Sequence, residues 1–150
     1  DSELIYKWIK KKRIRIFLSS LFRLKKINQT LVKIITKKSD SRWYVINFNE
    51  KKIGCVVFDG IDLEDKISNI WYFIGDDKFL NQGVSFTLLN NLLLKNPIQL
   101  NAVTAWVSSN NVASNKLLKK LKFKKMAQIP NTFKISNKTY DRILYYKSLI

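Results

Sequence analysis

The sequence predicts a single domain of the α+β (α/β) class, and three observations carry that prediction. The chain has 150 residues, a length that suits one core and would take roughly 68–70% of the unfolded surface out of water. Its apolar residues recur at helical spacing up to Thr36 and then at a period of two from Arg42. Beyond that switch, strand and helix patterns interleave with no internal repeat and no low-complexity linker. The order is helix, helix, three strands, helix, strand, helix, two strands, which calls for helices packed on one sheet.

From Glu3 to Leu18 the residues Leu4, Ile5, Trp8, Ile9, Ile16 and Phe17 alternate with Lys7, Lys10, Lys11, Lys12, Arg13 and Arg15. This predicts a basic amphipathic helix, broken near Lys12. A second helix is predicted from Leu24 to Thr36, with Leu24, Ile27, Leu31, Ile34 and Ile35 on one stripe. Lys37 and Lys38 suit its C-terminal dipole, and Ser39-Asp40-Ser41 ends it. Trp43–Phe48 and Ile53–Phe58, joined by Asn49-Glu50-Lys51-Lys52, predict an antiparallel hairpin. Ser68–Ile74 is apolar on both faces and is therefore placed at the centre of the sheet. A helix over Phe86–Lys95, stopped by Asn96-Pro97, precedes a strand over Ala102–Val107. Ser109-Asn110-Asn111 caps a helix over Val112–Leu121 with Ala113, Leu117, Leu118 and Leu121 inward. Strands near Lys124–Ile129 and Asp141–Leu149 complete the order.

Composition narrows the function classes. With 46% hydrophobic and 26% charged residues and no apolar run near the ~20 residues of a membrane span, neither a membrane anchor nor a secretory signal is expected. The one cysteine, Cys55, cannot form an internal disulfide and sits in an apolar run, so a buried structural thiol and a cytoplasmic location are expected. The chain has no histidine, which excludes histidine-dependent catalysis and the commonest metal ligand. Its net charge of +17 favours anionic partners. A source bias toward Lys, Asn and Ile accounts for the charge equally well.

Two segments outline a site. Leu80-Asn81-Gln82-Gly83-Val84-Ser85 leads from a strand into a helix, an arrangement whose free N–H groups and positive dipole end attract anions. Asn111, Ser114, Leu118, Lys122 and Phe123 follow at offsets of 0, 3, 7, 11 and 12. Together with the preceding strand, this second segment resembles the acetyl-coenzyme A signature of the GCN5-related N-acetyltransferase superfamily. In that family it reads Asn-x-x-Ala/Ser, Tyr or Leu at offset 7, then Gly-Phe. The loop aligns with the family's Arg/Gln-x-x-Gly-x-Gly/Ala motif, although Leu80, Ser85 and Lys122 depart from the pattern and Gly83 alone of the loop motif is intact.

The resemblance covers almost the whole chain. It implies a central mixed, mostly antiparallel twisted sheet flanked by about four helices, the usual first strand having no counterpart from Asp1 onward and lying upstream if present. It implies acetyl-CoA as co-substrate and direct attack of an amine on the thioester in a cleft where Ile70–Ile74 parts from Ala102–Val107; no metal is expected, because Cys and His are not clustered and Asp76-Asp77 sits in a turn. The coenzyme would be held by strand backbone at Tyr72, Phe73 and Ile74, by amides from Asn81 through Gln82, Gly83 and Val84 to Ser85, and by Asn111 and Ser114. The usual acid, a tyrosine at offset 7, is replaced by Leu118, and an early acidic residue of the third strand by Asn69. Candidate bases are then Asp59, Asp76 and Asp77, with Tyr140, Tyr145 or Tyr146 as acids; Asp76, Asp77 and Tyr145 form the primary catalytic set.

For the acceptor, the opening segment and the closing run from Lys138 to Lys147 resemble bacterial enzymes that acetylate nucleotide-linked amino sugars in pseudaminic acid biosynthesis. An anionic amine is thereby expected, with Trp8, Arg15 and Tyr140 contacting it and Lys7, Lys10, Arg13 and Lys138 supplying charge. The alternatives are a protein N-terminus, since ribosomal-protein acetyltransferases have a similar Asn-x-x-Ser-x-x-Leu-Leu helix, another small amine, or a non-catalytic nucleic-acid module. No recognised nucleic-acid motif supports the last. Neither a membrane nor a nucleic-acid partner is expected, and a homodimer is compatible with the sequence.

Overall fold

The structure, a computed structural model, describes residues 1–23 and 27–150. Among these, helices α1 (Ser2–Ile9), α2 (Lys12–Arg15), α3 (Ser20–Arg23) and α4 (Gln29–Ile35) precede strands β1 (Arg42–Phe48), β2 (Lys51–Asp62) and β3 (Ile67–Ile74). A short 3-10 turn, Asp77–Phe79, leads to α5 (Val84–Lys95), then β4 (Ala102–Ser108), α6 (Val112–Lys120), β5 (Lys124–Ile135) and β6 (Lys138–Ser148). The strands form one mixed sheet in the order β1-β2-β3-β4-β6-β5, antiparallel throughout except where β3 meets β4.

Burial on both faces explains the central position of β2 and β3. Every residue from Ile53 to Phe58 is buried, and successive side chains go to opposite faces. Val56, Phe58 and Ile70 join one core with Leu89 and Leu93 of α5 and Leu118 of α6. Cys55, Val57 and Phe73 join the other with Ile5, Trp8 and Ile9 of α1, Phe22 and Val32. Burial pushes the Cys55 thiol up to about 12, so it is an inert packing group.

The predicted helix over residues 3–18 is two helices and a following segment, because Lys11 is extended (φ −62°, ψ 125°) and starts α2 afresh. The helix predicted over residues 24–36 begins instead at Gln29, where the Asn28 side chain accepts from Leu31 N–H at 2.8 Å; Leu24 lies outside the described residues. Val32 is its fully buried residue, with the predicted Leu31 and Ile35 packed beside it and Ile27 buried just before the helix, whereas Ile34 faces solvent. The closing hairpin is longer than its sequence suggests: β5 continues past Pro130, which an edge strand tolerates because the missing N–H costs no ladder bond.

One consequence of this topology positions the site. β3 and β4 pair only at Ile67 with Ala102, Ser68 with Val103 and Asn69 with Thr104. Beyond Asn69, β3 stays with β2, where Gly75 N–H and Asp76 N–H both bond the Ile53 carbonyl at 2.7 and 3.0 Å. Meanwhile β4 follows β6 to Ser108. The sheet therefore opens at its centre, and its core-facing strands diverge.

Candidate active site

The opening between β3 and β4 holds a cleft of about 290 Å³ whose lining includes Ile70, Tyr72 and Ile74 on one side, Ala105 and Val107 on the other, and Ser85, Asn111, Ser114 and Leu117 from α5 and α6. Gly75 N–H faces β2, so alternation along the strand turns the peptide groups of Tyr72 and Ile74 toward the gap. An extended ligand can pair there as an added strand would.

A salt-bridged clamp fixes the far end of β3. Arg13 Nη1 donates to the Ile74 carbonyl at 2.9 Å and Nη2 to Gly75 at 3.2 Å; Lys11 Nζ donates to Gly75 at 2.8 Å. Asp77 accepts from Arg13 Nε at 2.8 Å and from Arg13 Nη2, and from Lys11 at 3.1 Å. Arg13, then Lys11, hold the Asp77 carboxyl below its usual range. This carboxylate resists protonation and makes a poor proton acceptor, and its pairing with α2 is kept at neutral pH and lost only as pH falls through its depressed pKa.

At the start of α5, Gly83 adopts φ +70°, a left-handed conformation that glycine takes without strain. The first intrahelical bond runs from Thr87 N–H to the Gly83 carbonyl at 3.4 Å, so the amides of Val84, Ser85 and Phe86 precede the helical ladder. That is the donor set of an anion site. A Cβ at Gly83 would meet nothing within 4 Å, which marks open approach to this backbone.

The residues selected from sequence divide clearly. Tyr72, Phe73, Ile74, Ser85, Asn111 and Ser114 line the cleft, and Asn81 and Gly83 are exposed in the loop at its end. The Val84 side chain packs into the core, and Gln82 Nε2 is engaged with the Lys78 carbonyl at 2.7 Å, leaving only their backbones for a ligand. Asn111 caps α6, its Oδ1 accepting from Ser114 N–H at 3.3 Å. The catalytic set falls elsewhere. Asp76 caps the 3-10 turn through Lys78 N–H at 3.0 Å, and Asp77 belongs to the clamp. Tyr145 is 1% exposed and donates to Asn115 Oδ1 at 2.5 Å.

Of the acceptor-contacting residues, Trp8 is a core residue, packed edge-on to Phe73 where any Cβ at Gly75 would strike its ring at 2.1 Å. Neither Arg15 nor Tyr140 lines the cleft; Arg13 does.

A second cavity of about 230 Å³ adjoins the first, sharing Phe17, Leu18, Trp71 and Trp106 with it. Asp59, Asn69, Phe133 and Arg142 complete its working surface. The Asp59 side chain makes no hydrogen bond or salt bridge within the described chain; its carbonyl accepts from Ser68 Oγ at 3.0 Å. The Asn69 Oδ1 atom is buried and unpartnered. Sequence reading noted Asp59 as one of three carboxylates, and only the sheet register, which places it opposite Asn69, singles it out.

Tyr72 brings its side chain to the cleft as well as its backbone. Its hydroxyl is buried with no well-formed bond, and burial pushes it up to about 12, moderated by nearby Ser114. The phenol stays protonated at neutral pH and can donate into the cleft.

The profile of the acetyltransferase (GNAT) family matches residues 3–123. The fold is similar to that of the microcin self-immunity acetyltransferase MccE, solved with acetyl-CoA and AMP, at 19% identity over 98% of this chain and 86% of that one, with a TM-score of 0.76. It is also similar to spermidine N-acetyltransferase from Vibrio cholerae, solved with CoA and spermine, at 16% identity over 99% and 90% of the two chains and a TM-score of 0.86. A third likeness is to RimL, a ribosomal-protein alpha-N acetyltransferase solved with coenzyme A, at 14% identity over 98% and 85% and a TM-score of 0.73. At these identities the likeness establishes fold. No curated protein sequence matches the chain. Among the described residues no helix is long and apolar enough to cross a membrane.

Proposed function

Because this chain belongs to the acetyltransferase (GNAT) family and is an acetyl-CoA-dependent N-acetyltransferase of a small amine, we propose that the coenzyme occupies the cleft between β3 and β4 and the acceptor the adjoining cavity. The observation that carries this reading is the junction itself: both spaces meet at Phe17, Leu18, Trp71 and Trp106, so a thioester threaded through the opening reaches an amine on the other face. The coenzyme's diphosphate lies on the amides of Val84 to Phe86, supported by the loop backbone of Asn81 to Gly83. Its pantetheine arm pairs with the peptide groups of Tyr72 and with the Ile74 N–H, the Ile74 carbonyl being held by Arg13, with Asn111 and Ser114 on the opposite wall.

In the reaction the amine nitrogen bonds to the acetyl carbonyl carbon, the nitrogen loses a proton, and the thiolate departs. Asp59, a carboxylate of this cavity with no partner among the described residues, takes the proton directly or through water. Tyr72 donates a hydrogen bond to the departing sulfur.

The nucleotide-linked amino sugar rests on sequence resemblance alone, and the broader small-amine reading is the one favoured. Similar folds occur in enzymes whose names specify a polyamine and a ribosomal protein, so fold does not select the acceptor. Charge does part of that work: with a net +17, a polycation is repelled and an anionic amine drawn in. Thiol release from acetyl-CoA, followed with a nucleotide-linked 4-amino sugar, spermidine and an N-terminal peptide, tests this. Turnover of the anionic small amine well above spermidine is expected; turnover confined to peptides overturns the assignment.

A further inference from the structure

The acceptor cavity has a polarity of its own. On its β2–β3 side stand the Asp59 carboxylate and the buried Oδ1 of Asn69, both hydrogen-bond acceptors and both without a partner among the described residues. On its β6 side stands Arg142, whose Nη2 donates to the Thr132 carbonyl at 3.1 Å while its Nε is buried with no partner. Arg142 enters no salt bridge among the described residues. Instead its guanidinium lies 5.4 Å from the Phe133 ring centre, with the Arg23 guanidinium 4.3 Å from the same ring. Arg23 Nε is likewise buried and unpartnered. Two arginines thus flank one ring with no carboxylate between them, and burial together with Arg142 lowers the Arg23 pKa. Both side chains are half-exposed, Arg23 Nη1 also donating to the Lys134 carbonyl, and like charges placed side by side attract an anion.

We propose that the acceptor is an amine carrying a carboxylate or phosphate at its far end, the amine facing Asp59 and Asn69 and the oxyanion facing Arg142, with Arg23 reinforcing the positive end. This rests on the acceptor occupying the second cavity. β4 separates the strands of Asn69 and Arg142, and the two pair with Thr104 and Ser108, four residues apart along β4, so their backbones stand about 10 Å apart across the sheet and about 13 Å along it. The amine and the anion therefore stand several bonds apart, and an α-amino acid is too short to reach both. Phe133, Trp71 and Trp106 cover the intervening body of the molecule, and the guanidinium fork suits either oxyanion.

The test is calorimetric titration of the full chain, first with CoA and then, when saturated, with tyramine, tyramine phosphate and 4-(2-aminoethyl)benzoate. These probes share amine and ring and differ at the far end. At least one anionic probe should bind tenfold or more tighter than tyramine, and which one does so distinguishes phosphate from carboxylate. The preference should fall below threefold in Arg142→Gln and persist in Lys95→Gln, a change on α5 that alters net charge equally. No preference in the native chain, including no binding of either anion, overturns the proposal, as does a preference that survives in Arg142→Gln. CoA affinity is read in the first stage: its absence alongside an intact anion preference would count against the cofactor assignment and not against this one.

Discussion

Replacement of Asp59 by Asn is expected to lower kcat/KM for acetyl transfer about 10²–10⁴-fold, the range typical of a lost general base. The substitution keeps side-chain shape and removes only the negative charge. Because the Asp59 carboxylate has no partner within the described chain, and because the bonds at this residue run to its backbone, from Ser68 Oγ to its carbonyl and in the ladder opposite Asn69, the melting temperature should hardly move. CoA affinity should also be retained, since Asp59 lines the acceptor cavity and not the coenzyme cleft. Steady-state kinetics beside a CoA titration separate these effects. A rate within threefold of the native one would remove Asp59 from the chemistry and leave it as a solvated strand residue.

The second large effect is expected at Gly83→Asp. At φ +70° a non-glycine residue costs roughly 1 kcal/mol or a little more of backbone strain. The open space around the position adds no clash, and a carboxylate at a helix N-terminus is favourable to the dipole. Folding should therefore be nearly preserved. The coenzyme fares differently, because a carboxylate about 5 Å from its diphosphate raises the energy by about 1–3 kcal/mol per pair of unit charges. Acetyl-CoA should bind about 5- to 150-fold more weakly, an effect that shrinks as salt is added. Equal affinity in both proteins would place the diphosphate elsewhere.

Much of the architecture is legible in the chain because its signals are local. The run Ile53–Phe58, rich in β-branched residues and preceded by a polar turn, reads as a strand, and the structure buries every one of its residues. The loop around Gly83 announces a backbone left open in front of a helix. Other features depend on residues far apart in sequence. Trp8 sits on a stripe that fits either core or surface, and only its contact with Gly75 settles it as core. Asp77 in isolation is an exposed turn carboxylate; its engagement by Arg13, 64 residues away, is invisible to periodicity. Likewise Asp59, Asn69, Trp106, Phe133 and Arg142 carry no shared motif, and their meeting in one cavity follows from strand order. Tyr145 is one of three candidate tyrosines in the sequence, and β6 turns it into the core against Asn115.

The central claim is that the coenzyme lies as a surrogate strand along β3 where β4 has left it, with its diphosphate on the first turn of α5. Residue-resolved amide hydrogen exchange with and without CoA tests this most directly. Strong added protection is predicted at the amides of Tyr72, Ile74 and Val84 to Phe86, with little change in the already paired β1. Protection confined to other elements, or none at saturating CoA, would contradict it.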